Sequence, residues 1–116
     1  MESTLKKIKI PKKITTIPRN AFSGCKNITS IGFLGSGADV EIPYDLTTIG
    51  SYAFADTGIV NLVIPNSITN IYDYAFSYCD SLESVTIPNS VTSISYYTFQ
   101  GCDNIENINL DSDINT

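Results

Sequence analysis

The 116-residue sequence predicts a repeat solenoid of about four and a half coils, each about 23 residues long. Three observations carry that expectation. Phe22, Phe54, Phe76 and Phe99 recur at intervals of 32, 22 and 23 residues. An Ile-Pro pair stands eleven or twelve residues before each: Ile10-Pro11, Ile42-Pro43, Ile64-Pro65 and Ile87-Pro88. Ahead of the pair runs an apolar-x-x-apolar-x-apolar pattern, as Leu5/Ile8/Ile10, Ile59/Leu62/Ile64, Leu82/Val85/Ile87 and Ile105/Ile108/Leu110.

Each element of the coil has a local reason. Val85-Thr86-Ile87 alternates with period two, and Pro88 removes the next ladder donor, which predicts a short strand ended on schedule. A second apolar pair follows three residues apart, as Ile14/Ile17, Leu46/Ile49, Ile68/Ile71 and Val91/Ile94. Its β-prone residues predict an extended segment on another face. The Tyr-Ala-Phe-x-x-Cys block is too short for a full helix and predicts one helical or 3₁₀ turn, closed near Gly24, Gly58 or Gly101. No coil can bury its inward row alone, so stacking supplies the core.

Two intervals depart from the period. The 22 reflects the shortened turn Asp56-Thr57-Gly58, and the 32 reflects nine extra residues after Ile31. That insertion leaves two candidate strands for the second rung, Ile31–Phe33 and Val40–Ile42. The glycines of Leu34-Gly-Ser-Gly-Ala-Asp39 predict a small protruding hairpin or bulged loop between them. The expected organisation is one domain over residues 1–116, with coils at 5–27, 28–58 (loop 34–39 inserted), 59–81 and 82–104. A partial coil at 105–110 and a polar tail at 111–116 complete it.

The recurring text LESVTIPNSVTSISYYTFQGC and LVIPNSITNIYDYAFSYC resembles the BspA-like leucine-rich repeat family over residues 5–110. The resemblance implies a right-handed parallel β superhelix with its strands on one concave face. It also implies binding or adhesion roles, often on microbial surfaces. Lys13, Ser67 and Ser90 stand where commoner leucine-rich repeats place Asn or Cys, so no asparagine ladder is expected to hold the turn. The start, MESTLKKIKIPKK, has no apolar stretch behind its charges, so it does not read as a secretory signal. No apolar run approaches the roughly 20 residues of a spanning helix, so membrane insertion is not expected. As written the chain would stay in the cytoplasm, whereas the resemblance suggests a cell surface.

Composition narrows the chemistry. There is no histidine, which removes the commonest general base and the commonest metal ligand. Cys25, Cys79 and Cys102 each fall three residues after the repeat Phe, with Thr57 in the fourth place, and read as a buried column of small apolar groups. Asp39 and Glu41 are close, but beyond Lys26 no cation exists to pair with a carboxylate, so an acid/base pair would have to arise from burial. No enzyme, metal or cofactor is expected. All seven cations lie within residues 1–26, which carry a net +6, while residues 27–116 carry −11. Lys6, Lys7, Lys9, Lys12 and Lys13 form a basic end patch, best read as guarding an exposed edge strand rather than as a nucleic-acid site, because no readout motif accompanies them.

Tyr52, Tyr74 and Tyr97 share one register, two residues before the Phe, with Asn20 in the first coil. Tyrosine offers large contact area at low entropic cost, so the strip is a candidate contact surface. The reading is a non-catalytic protein-binding module that uses Tyr52, Tyr74 and Tyr97 together with outward strand residues Glu41, Val63 and Thr86. The alternative is a self-associating subunit, or a fragment of a longer array, joining through uncapped solenoid ends of opposite charge.

Overall fold

Short strands form where apolar and polar residues alternate, in a computed structural model that describes residues 7–110. They are β1 (Ile8–Lys9), β2 (Thr16–Ile17), β3 (Ile31–Phe33), β4 (Val40–Ile42), β5 (Thr48–Ile49), β6 (Asn61–Val63), β7 (Asn70–Ile71), β8 (Ser84–Ile87) and β9 (Asn107–Leu110). Every pairing is parallel. One face carries β1-β4-β3 and then β6-β8-β9; a second face carries β2-β5-β7. Leu5, Lys6 and the tail at 111–116 lie outside the described residues.

Registry between coils places like on like. Leu62, Val85 and Ile108 are Cα partners along the first face, and Ile17, Ile49 and Ile71 along the second. The Phe column stacks ring on ring, with centroids 5.3, 5.5 and 5.7 Å apart from Phe22 through Phe99. Phe54 and Phe76 are fully buried at its centre. Cys25 and Cys79 are buried and Cys102 is half-buried beside that column.

The helical or 3₁₀ turn expected around each Phe is instead a run of overlapping β-turns. Alternate N–H groups explain the difference. Ala21, Ser23 and Cys25 donate to carbonyls three residues back within their own coil, whereas Asn20, Phe22 and Gly24 donate to Ser51, Ala53 and Ala55 of the next coil. Asn20, Tyr52 and Tyr74 also hold positive φ, which interrupts any helical run. Among the described residues no helix is long and apolar enough to cross a membrane. The extended second-face segment forms in three coils, and at 91–94 no strand is present.

Both candidate strands of the insertion form, and they are parallel rather than a hairpin. β4 lies between β1 and β3, so the chain reaches the third rung at β3 and then steps back to fill the second. Parallel neighbours usually need a crossover of a dozen or more residues, yet 34–39 suffices here. The loop achieves this by crossing the outer face of β3. A Cβ added at Gly32 would sit 2.5 Å from Ser36 Oγ and 3.2 Å from Ala38 Cβ, so a larger residue there would force the loop's side chains to shift.

Replacing Phe76 by Ala opens a cavity between two stacked rings and is expected to cost about 3–5 kcal/mol. Urea unfolding of the two proteins checks this; a loss under about 1 kcal/mol would mean the column is not a central support.

Candidate functional site

A positive-φ turn underlies the first two members of the tyrosine register, Tyr52 and Tyr74, but not Tyr97. Tyr52 and Tyr74 hold φ of 61° and 67°, a region that Asn20 occupies in the first coil at φ 62°. Asparagine tolerates this region, while a bulky ring there is strained by about 1–3 kcal/mol. The rings stack as a ladder: Tyr52 to Tyr74 at 5.0 Å and 2° between planes, Tyr74 to Tyr97 at 5.5 Å and 20°. Both ends of the ladder are covered. The Arg19 guanidinium lies 5.6 Å from the Tyr52 centroid, and Tyr96 meets Tyr97 edge-on at 5.5 Å.

The ladder therefore presents ring edges and hydroxyls, its faces being used in stacking. Desolvation between neighbours raises the Tyr74 pKa, and Tyr52 and Tyr97 raise it further. Tyr97 is exposed and Tyr96 almost completely so, at 90%. Tyr96, which the sequence places close to the register, belongs to this surface, and so does Arg19, which the tyrosine pattern did not include. Their only sequence signal is adjacency, to Asn20 and to Tyr97.

The strand residues do not join that ladder. Val63 and Thr86 are Cα partners on β6 and β8, and Val63 is exposed. Val63 and Tyr74 are eleven residues apart in a coil of about 23, which puts the strand row and the tyrosines half a coil apart. Glu41 is not an outward contact residue. It is buried, because loop 34–39 folds over it and the N–H groups of Gly35 and Gly37 donate to its carboxylate at 3.1 and 2.9 Å. Those two bonds hold its pKa below the ordinary 4.5, against the effect of burial.

Asp39 anchors the other end of the loop. The Thr29 N–H and hydroxyl each donate to it at 2.8 Å, and Lys7 Nζ lies 3.5 Å away. Burial alone would raise the Asp39 pKa; the Thr29 bonds and Lys7 outweigh it and lower the value. Lys7 also donates to the Gly37 carbonyl at 3.0 Å, so it fastens the loop rather than standing free in the basic end patch. Lys9, Lys12 and Lys13 are exposed, and Lys6 lies outside the described residues.

The cysteine column is a hydrogen-bonding column as well as an apolar one. Cys79 Sγ donates to the Phe54 carbonyl at 3.2 Å and Cys102 Sγ to the Phe76 carbonyl at 2.9 Å, each one coil back, while the Thr57 hydroxyl donates at 2.9 Å to the Phe54 carbonyl of its own coil. The Cys102 thiol beside it, with help from Thr57, lowers the Cys79 pKa despite burial, and the same contact pushes Cys102 up.

Stacked parallel coils with a Phe column and a Cys/Thr column define a leucine-rich-repeat solenoid. The family model described as BspA type leucine rich repeat region matches in six copies over residues 1–116, and the chain belongs to that family. Such repeats are typically interaction modules and non-catalytic scaffolds. Among solved structures, the chain is similar to a T. pallidum leucine rich repeat protein at 29% identity and TM-score 0.70, covering 86% of this chain and 43% of that one. It is also similar to a leucine rich cell surface protein of Faecalibacterium prausnitzii A2-165, at 27% identity and TM-score 0.61, covering 90% and 31%. A Bacteroides ovatus ATCC 8483 leucine-rich repeat protein gives 25% identity and TM-score 0.51, covering 89% and 37%. The chain spans less than half the length of each of these structures. None of the curated proteins matches it.

The low pKa of Glu41 predicts an acid effect of definite sign. Its stabilising contribution is complete above the unfolded value of 4.5 and is lost as pH falls through the lower folded value. Glu41→Gln is therefore expected to lower the melting temperature at neutral pH and to flatten the fall in stability below pH 4.5. Parallel acid slopes for the two proteins, measured by thermal melts across that range, would remove the carboxylate from this role.

Proposed function

We propose that the chain is a non-catalytic protein-binding module of adhesion type that holds its partner along the Tyr52–Tyr74–Tyr97 ladder. The observation that carries this reading is the strained backbone beneath two of the rings. Asn20 shows that the turn forms with a residue that suits positive φ. Tyr52 and Tyr74 occupy the same position at a conformational cost, as Tyr78 and Asp56 do elsewhere on the turns, and such outliers gather at active sites, ligand clamps and switch regions. A partner would meet a rigid row of edges and hydroxyls, so little side-chain entropy remains to be lost on binding. Val63 and Thr86 offer a second, separate contact row on the strand face. The cell-surface setting named for the F. prausnitzii relative supports the same setting for this chain.

A second reading is self-association through the solenoid ends. It is favoured by exposure of Ile108 and Leu110 at one end and by the exposed Lys9, Lys12 and Lys13 at the other.

Replacing Tyr52, Tyr74 and Tyr97 together by Asn keeps a residue compatible with the turn while removing the ladder. Circular dichroism is expected to stay unchanged while partner affinity, measured on proteins recovered from the native source, falls at least about a hundredfold, as for loss of central aromatic anchors. Affinity within about twofold of the unmutated chain would overturn the ladder as the binding site.

A further inference from the structure

Core columns emerge uncovered at both ends of the described strand face. Val85 and Ile87 on β8 are 0% and 6% exposed, whereas their Cα partners Ile108 and Leu110 on β9 are 58% and 62% exposed. Among the described residues β9 pairs with β8 and stands last in its sheet. At the other end, Ile8 opens the outermost strand β1 and Ile10 follows it, and Ile10, Pro11, Ile14, Ile17 and Phe22 line an apolar hollow of about 330 Å³. Val40, the Cα partner of Ile8, is fully buried one rung inward.

Charge distinguishes the two edges. Lys9, Lys12 and Lys13 are exposed around β1, while Asp103 and Glu106 are exposed just before β9, with Asp80 and Glu83 one coil further in. Two β1 edges would oppose lysine to lysine, and two β9 edges carboxylate to carboxylate. Like charges at an edge discourage pairing, so both symmetric unions are disfavoured. Only the union of unlike edges brings opposite charge together.

We propose that β9 of one copy pairs in parallel with β1 of a second copy, so that the strand face runs on from molecule to molecule. This deepens the self-association reading given above by naming the strands, their register and their polarity. The register follows from the columns. Ile108 continues the Leu62–Val85 row, and Ile8 begins the row of Val40 and Ile31, so Ile108 meets Ile8 and Leu110 meets Ile10. Asn107 and Asn109 then fall opposite Lys7 and Lys9, with Glu106 beside them. In β1 the N–H groups of Ile8 and Ile10 donate to the Asp39 and Glu41 carbonyls of the rung within, which leaves the N–H and C=O of Lys9 on the outer edge. A parallel ladder uses alternate residues in this way, so each edge carries what the other lacks. The contact is head-to-tail, β9 of each copy meeting β1 of the next.

The test uses two variants that each block one end with exposed substitutions: Ile108→Lys, and the triple change Lys9→Glu, Lys12→Glu, Lys13→Glu. Sedimentation velocity on the unaltered chain is expected to show species that grow with concentration and shrink at high salt. Each variant alone is expected to be monomeric with an unchanged circular dichroism spectrum, and their mixture to give a one-to-one dimer and nothing larger. Dimers formed by the lysine-reversed variant alone would mean β9 pairs with itself and would overturn the head-to-tail contact while leaving self-association intact. A monomeric unaltered chain at every concentration and salt would overturn both.

Discussion

Hydrogen bonding between coils is the constraint on which the rest of the structure depends. A coil of about 23 residues cannot satisfy its own backbone, because half the N–H groups of each turn point along the solenoid axis. Asn20, Phe22 and Gly24 find acceptors only in the next coil, and Phe54, Phe76 and Tyr78 repeat the arrangement one and two coils on. A buried N–H without a partner is expensive, so each coil is fixed in height and rotation by its neighbour. Side-chain columns follow from that fixing. Phenylalanines stack at a nearly constant spacing because their backbones are already in register, and the same registry brings tyrosine onto tyrosine at the rim.

The insertion shows how far this periodicity bends. Six strands stand along one face, whereas four phenylalanines stand along the turns. Two sides with different numbers of rungs cannot keep every ladder in step, and among the described residues the break falls between β3 and β6. A groove of about 330 Å³ opens at that seam, lined by Ile31, Phe33, Val63 and Pro65 among others. The six-residue return is held by two carboxylates, Glu41 on the Gly35 and Gly37 N–H groups and Asp39 on Thr29. One consequence is functional: the loop covers Gly32 and Glu41, so the free part of the strand row begins at Val63.

The aromatic columns differ in what their placement costs. Phe54 and Phe76 sit in a dry interior where burial repays the ordering of the ring. Tyr52 and Tyr74 are only half-buried and stand on strained backbone, so their stacking is not explained by burial alone. That contrast separates a structural column from a candidate contact surface on the same coil. The two ends of the solenoid repeat the contrast in charge, with lysines gathered at the first coil and carboxylates beyond it.

Period and alternation by themselves determined the solenoid, its coil length, the strands before each Ile-Pro pair and the inward Phe and Cys columns. These follow from spacing, since residues at one position of a repeat must stack if the repeats stack. The shared register of Tyr52, Tyr74 and Tyr97 was legible for the same reason. What only the tertiary structure decided were the features that depend on contacts between coils. The turn around Phe is not helical because its alternate N–H groups are taken by the neighbouring coil. β4 slips between β1 and β3 because Glu41 and Asp39 draw the loop back across Gly32, and a linear pattern does not reveal which backbone donors a carboxylate will reach. Arg19 and Tyr96 complete the tyrosine ladder through geometry at its ends, where the repeat no longer dictates what lies next to what.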